Sequence, residues 1–132
     1  MITFTTAEKK FLESLEETRL ATTNDDMPHV KPVSYIFDND LFYVATDYDT
    51  RAFKNLKKNS KIALTIDIYK HGDHKAVCIQ GNATIIESGD KFSSMYQKFH
   101  DKFEWVRKEP WGENEAPFLE IKPITKVSWG IN

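Results

Sequence analysis

Residues 29–46 read HVKPVSYIFDNDLFYVAT, and this stretch decides the fold. From His29 to Phe37 the chain is rich in β-formers, Asp38-Asn39-Asp40 has the composition of a hairpin turn, and Leu41–Thr46 reads as the returning strand. Pro32 lies inside the first strand. Proline cannot donate to a ladder, so it marks an edge, or a stretch whose inner side meets something other than a strand. Upstream, Arg19–Thr23 is a further strand candidate, separated from the hairpin by Asn24-Asp25-Asp26 and Pro28. Before it, Thr5-Thr6-Ala7-Glu8 offers a capping box for a helix that buries Ala7, Phe11, Leu12 and Leu15.

Downstream, Asp47-Tyr48-Asp49-Thr50 reads as a loop ending in a helix cap. A short helix over 51–58 follows, with Ala52, Phe53 and Leu56 on its buried side. Residues 61–68 alternate as a strand with Ile62, Leu64, Ile66 and Ile68 on one face. After a turn at His71-Gly72-Asp73-His74, residues 75–87 form a long strand with Val77, Ile79, Gly81, Ala83 and Ile85 on one side. The spacing of Phe92, Met95, Tyr96, Phe99 and Phe103 predicts an amphipathic helix over 90–103. Residues 104–117 are expected to be a loop, with Trp105, Pro110, Trp111 and Pro117. A final strand over 118–129 bends at Pro123. Six strands, mostly adjacent in sequence, and three helices predict an α+β, mainly β, antiparallel barrel with peripheral helices, one domain over residues 1–132.

Composition narrows the function classes. The 132 residues carry 18 basic and 20 acidic side chains, a formal charge of −2, so no global field draws the chain to nucleic acid. No apolar run is long enough to span a bilayer, and the opening MITFTT lacks the pattern of a signal peptide. A cytoplasmic protein is expected. The single cysteine, Cys78, excludes an internal disulfide and reads as a small buried or half-buried residue rather than a nucleophile. No metal is expected: His71 and His74 have a workable spacing but read as solvated turn residues, and His100 as a helix-flank residue. Lys54, Lys57, Lys58 and Lys61 read as a solvated face. The five glycines form no phosphate loop or dinucleotide fingerprint, and no serine sits in a nucleophile elbow.

One constellation carries chemistry. Thr46 ends a strand and Thr50-Arg51 opens a helix. A helix start presents free N–H groups and a positive dipole end, and threonine hydroxyls with an arginine fork complete an anion pocket. A plain helix cap beside an exposed arginine fits the same residues.

Five segments then carry a resemblance: Arg19-Leu20-Ala21-Thr22; Pro28-His29-Val30-Lys31-Pro32-Val33; Phe42-Tyr43-Val44-Ala45-Thr46; Thr50-Arg51-Ala52-Phe53-Lys54-Asn55-Leu56; and Asn59-Ser60-Lys61-Ile62-Ala63-Leu64. Ile79-Gln80-Gly81-Asn82-Ala83 and Phe118-Leu119-Glu120-Ile121-Lys122-Pro123, leading to Trp129, agree with it. In this order they resemble the pyridoxamine 5′-phosphate oxidase-like family of FMN-binding split barrels.

The resemblance implies a six-stranded split β-barrel, a homodimer, and FMN held at the subunit interface. It implies that the strand containing His29, Val30, Lys31, Pro32 and Val33 lies along the flavin ring. Thr46, Thr50 and Arg51 would take the phosphate, and Trp129 would be a C-terminal aromatic near the flavin. It implies an FMN-dependent oxidoreductase acting on a small substrate or redox partner, with no side chain nominated as acid or base. Tyr35, Tyr43 and Trp111 read as core or interface aromatics, or as walls for a substrate. Three departures stand out. Ala52 replaces a phosphate-binding lysine that many members carry, with Lys54 one turn on as a partial substitute. His29, a pH-dependent donor, replaces a more basic residue. No segment matches the substrate-binding Arg-His pair of the oxidase itself, so vitamin B6 oxidation is not expected. The same fold with F420 or haem, or a non-catalytic flavin carrier, are the alternatives. Haem would need an axial histidine, and F420 a longer basic groove such as Lys54–Lys61.

Overall fold

A computed structural model describes residues 2–132. The elements run α1 (Thr6–Ser14), β1 (Glu17–Asn24), β2 (Met27–Asp38), β3 (Leu41–Ala45), α2 (Arg51–Lys58), β4 (Lys61–Ile68), β5 (Lys75–Ile86), α3 (Gly89–Lys102), α4 (Glu104–Lys108) and β6 (Phe118–Trp129). The six strands close an antiparallel barrel, as the sequence predicts, and their order around it is β1-β2-β3-β6-β5-β4. The expectation that fails is the loop over 104–117: its first third is α4, placed directly after Phe103 by the burial of Val106.

The two hairpins at the start are tighter than the three-residue turns read from sequence. Asn24 pairs with Met27 and Asp38 with Leu41, which leaves Asp25-Asp26 and Asn39-Asp40 as two-residue loops. All four residues have positive φ, the twist that suits a hairpin and that Asn and Asp tolerate better than most side chains. Beyond the barrel wall Ile68 does not join Ile62, Leu64 and Ile66 in the core and is 42% exposed.

β3 is short, and this opens the barrel. It pairs with β2 only over Tyr35–Asp38 and with β6 only over Phe118–Ile121. Residues 27–34 of β2 therefore run past one end of β3 with β1 as their only strand partner. Residues 122–129 of β6 run past the other end against β5 alone. Pro32 lies on the first of these half-paired stretches, as its missing N–H requires. Opposite Pro123 the β5–β6 register shifts at Gln80/Gly81. A Cβ on Gly81 would stand 2.4 Å from the Lys122 carbonyl oxygen, so only glycine lets β6 pass there.

Two cores hold the layers together. Leu20, Val33, Tyr35, Phe42, Leu64, Ile79 and Ile121 fill the barrel with Leu12, Ala52 and Leu56 from the helices. On the outer wall, Ile36, Tyr43 and Phe118 pack beneath Phe92, Met95, Phe99, Phe103 and Val106 of α3 and α4.

The first helix is fastened at both ends. Thr5 and Glu8 form the expected capping box. Glu8 also accepts hydrogen bonds from Lys126 Nζ at 2.7 Å and Ser128 Oγ at 2.6 Å, tying α1 to β6. Burial alone would raise the Glu8 carboxyl, but these bonds and the one from the Thr5 amide outweigh it and hold the group at about 2. Lys102 Nζ donates to the carbonyls of Leu15 and Tyr35 at 2.7 and 3.1 Å, capping the end of α1 from α3. Burial pushes this amine below the ordinary lysine range, with Glu16 opposing.

Candidate functional site

The candidate site sits where β3 hands over to α2. Thr46, buried, ends the strand beside Ala45, and its amide donates to Pro117 O at 3.2 Å. Its hydroxyl lies 3.1 Å from that of Thr50. Thr50 is the N-cap of α2: its Oγ1 accepts from the Phe53 amide at 3.1 Å and donates to Asp47 O at 2.9 Å. The amides of Arg51 and Ala52 have no partner among the described residues, so the first turn keeps two free donors. Tyr48 pins the connecting loop, packing edge-on against Phe53 at 5.0 Å and donating to Glu87 Oε2 at 2.8 Å. Partial burial and that carboxylate push the Tyr48 hydroxyl up to about 12.

Arg51 is exposed and makes no ion pair among the described residues. It lines a cleft of about 390 Å³ with Asn24, Asp25, Met27, Pro28, His29 and Asn55. Asn55 is fixed there by a bond from Nδ2 to Thr22 Oγ1 at 3.0 Å, and Thr22 stands opposite His29 across β1 and β2. The His29 Nδ1 atom is buried with no hydrogen-bond partner among the described residues, which leaves one polar atom unsatisfied in a residue that lines this cleft.

The expected site residues are thus only partly gathered. Thr46, Thr50 and Arg51 form one turn, and His29 joins Arg51 in one cleft. Along β2, His29, Lys31 and Val33 alternate with Val30 and Pro32, which face outward and are exposed. Lys54 is exposed one turn beyond Arg51. Trp129 does not join them. The register puts it at the end of β6 opposite Ala76, at the far end of the barrel from Thr46.

A second cleft, of about 320 Å³, opens on the other side of Thr46 between Asp47, Trp105, Glu109, Trp111, Glu115 and Ala116. Trp105 and Trp111 stack with ring centroids 5.8 Å apart and planes 8° from parallel. The Trp111 indole donates to Ala116 O at 3.1 Å. Tyr35 and Tyr43 are buried. The Tyr35 hydroxyl is bonded to the Leu12 carbonyl and that of Tyr43 to Glu120, so neither walls a cleft.

With this geometry in view, the comparison with known proteins is direct. The family model described as pyridoxamine 5′-phosphate oxidase matches residues 4–126. The chain belongs to this family. No curated protein matches it. Solved structures share its fold at low identity. A FAD-binding protein from Mesorhizobium loti aligns with a TM-score of 0.78 and 16% identity, over 95% of this chain and 94% of its own. The heme storage protein HutZ from Vibrio cholerae aligns at 0.79 and 13%, over 93% and 91%. An F420 reductase aligns at 0.69 and 18%, over 90% and 94%. One barrel of the pyridoxamine 5′-phosphate oxidase family's type thus accompanies three different ligand names.

Within this family member, sequence reasoning missed the Tyr48–Glu87 pin, the Trp105–Trp111 stack and the surroundings of His74. Expected to be solvated, His74 is instead wedged between Tyr69 and Trp129. No group of three or more His, Cys, Asp or Glu side chains suited to a metal ion occurs among the described residues. Cys78 is half-buried and accepts from Thr65 Oγ1 at 3.7 Å. No helix among the described residues is long and apolar enough to cross a membrane.

Proposed function

We propose that this chain is a homodimeric FMN flavoprotein, an oxidoreductase acting on a small substrate or redox partner. The observation that carries the proposal is the Thr46–Thr50–Arg51 turn: a capped helix start with free amides, beside a guanidinium that no carboxylate neutralises. Such a turn suits a phosphate monoester, and His29 lines the same cleft as Arg51. The free edge of residues 27–34 leaves backbone groups for a flavin ring. Bound FMN would supply hydride or electron transfer. The chain's own residues bind and orient it: Thr46, Thr50, Arg51 and Lys54 at the phosphate, and His29–Val33 along the ring.

The two ends of the barrel support the dimer. Trp129 lies too far along β6 to reach its own chain's phosphate turn, so a Trp129 near the flavin comes from a second copy. Met27 and Val30 at one end, and Ile124, Val127 and Trp129 at the other, are exposed apolar side chains that a two-fold pair would cover. Ala52 leaves the phosphate with one cation fewer than many members provide, which places more of the binding on Arg51. The test is FMN titration of the wild-type chain and of Arg51→Ala, followed by flavin fluorescence. F420 and haem are the competing ligands in the same assay.

A further inference from the structure

The end of the barrel opposite the phosphate turn holds a side-chain cluster that the cofactor reading does not use. His74, at the close of the β4–β5 connection, meets the Tyr69 ring edge-on at 4.8 Å and the Trp129 ring at 5.3 Å with planes 80° apart. The Trp129 indole nitrogen lies 3.3 Å from His74 Nδ1, and His74 Nε2 lies 3.4 Å from Asp67 Oδ2. An indole N–H only donates, so Nδ1 must accept. That fixes the neutral tautomer, with its proton on Nε2 toward Asp67. The chain beyond β6 is packed on the same residue: Gly130 has φ +75°, and a Cβ there would stand 2.2 Å from the His74 carbonyl oxygen. Trp129 is 43% exposed, and the bond to His74 is the one its indole makes among the described residues.

We propose that His74 is a pH-sensitive positioning residue for Trp129, holding the indole when neutral and releasing it when protonated. A proton on Nδ1 would face the indole N–H, and two donors at this distance cannot bond. The ionisable groups around His74 are few. Asp67 comes from β4, and Tyr69 from the same connection as His74. Lys70, His71, Asp73 and Lys75 are its chain neighbours, and Lys10 of α1 shares a cleft with Lys75 and Gly130. Trp129 and Gly130 bring no titratable group from β6. Any consequence for the cofactor rests on the dimer reading above, in which this end of one protomer meets the phosphate end of the other. The coupling itself does not.

The experiment reads Trp129 emission as the difference between the wild-type chain and Trp129→Phe, from about pH 8 to about pH 5. The expected result is one protonation step. His74→Asn keeps an acceptor near the Nδ1 position without titrating, so its signal stays flat at the high-pH level. His74→Phe stays flat at the low-pH level. Far-UV circular dichroism confirms folding of each variant. A step that persists in His74→Asn, or its absence from the folded wild type, would overturn the proposal. Neither outcome depends on whether FMN binds.

Discussion

At the scale of single residues, the account turns on Arg51. Its guanidinium stands at a capped helix start and makes no ion pair among the described residues, and the proposed charge-assisted phosphate contact there would decide affinity. Arg51→Ala is expected to weaken FMN binding more than tenfold while leaving the fold intact, measured by fluorescence titration. His71→Ala should leave the affinity unchanged, because His71 is an exposed residue of the β4–β5 connection and lines neither cleft beside Thr46 and Arg51. Arg51 and Thr50 were legible in the sequence because a cap and its following turn are local features. The environment of His74 was not. Its partners Asp67 and Trp129 converge only through the β4–β5–β6 register, and no spacing within the 71–74 turn announces them.

Among the elements, α1 makes the sharpest pH prediction. Glu8 is held at about 2 in the folded chain against an ordinary 4.5, so its ionised form is favoured by folding. That contribution is complete above about pH 4.5 and is lost as pH falls toward about 2. Denaturant unfolding should find Glu8→Ala less stable than wild type by roughly 2–4 kcal/mol at neutral pH, with the gap closing across that acid window. The β2–β3 turn gives a prediction of opposite sign. Asn39 and Asp40 both have positive φ, so Asp40→Gly should stabilise by up to about 1 kcal/mol in thermal or denaturant unfolding. The exposed Lys9–Asp40 pair at 3.7 Å offsets little of this. The strands and three of the helices could be read from periodicity and caps. α4 could not, because one turn of helix carries too little period. What stabilises it is the burial of Val106 and the stacking of Trp105 on Trp111, contacts made by the tertiary fold.

For the whole molecule, the short β3 matters most. It leaves residues 27–34 and 122–129 half-paired at opposite ends, each with exposed apolar side chains, with Trp129 at the end away from the Thr46–Arg51 turn. The antiparallel barrel was legible because β1–β2 and β2–β3 pair through tight turns, but its strand order was not, since β1–β4 and β3–β6 join strands far apart in sequence. The distance between the two parts of the expected site was not, since Thr46 and Trp129 look equally available along the chain. In the proposed dimer a second copy would bridge that separation. Sedimentation should accordingly find a dimer, and Val127→Asp should shift it toward monomer and weaken FMN binding together with it. The most direct measurement is the visible absorption of the purified chain during FMN addition, with Arg51→Ala alongside. An FMN-binding chain saturates at about one FMN per chain, with flavin bands at about 370 and 450 nm, and Arg51→Ala loses more than tenfold in affinity. A chain that stays colourless at saturating FMN, or a folded Arg51→Ala that binds as tightly as wild type, would contradict the proposed function.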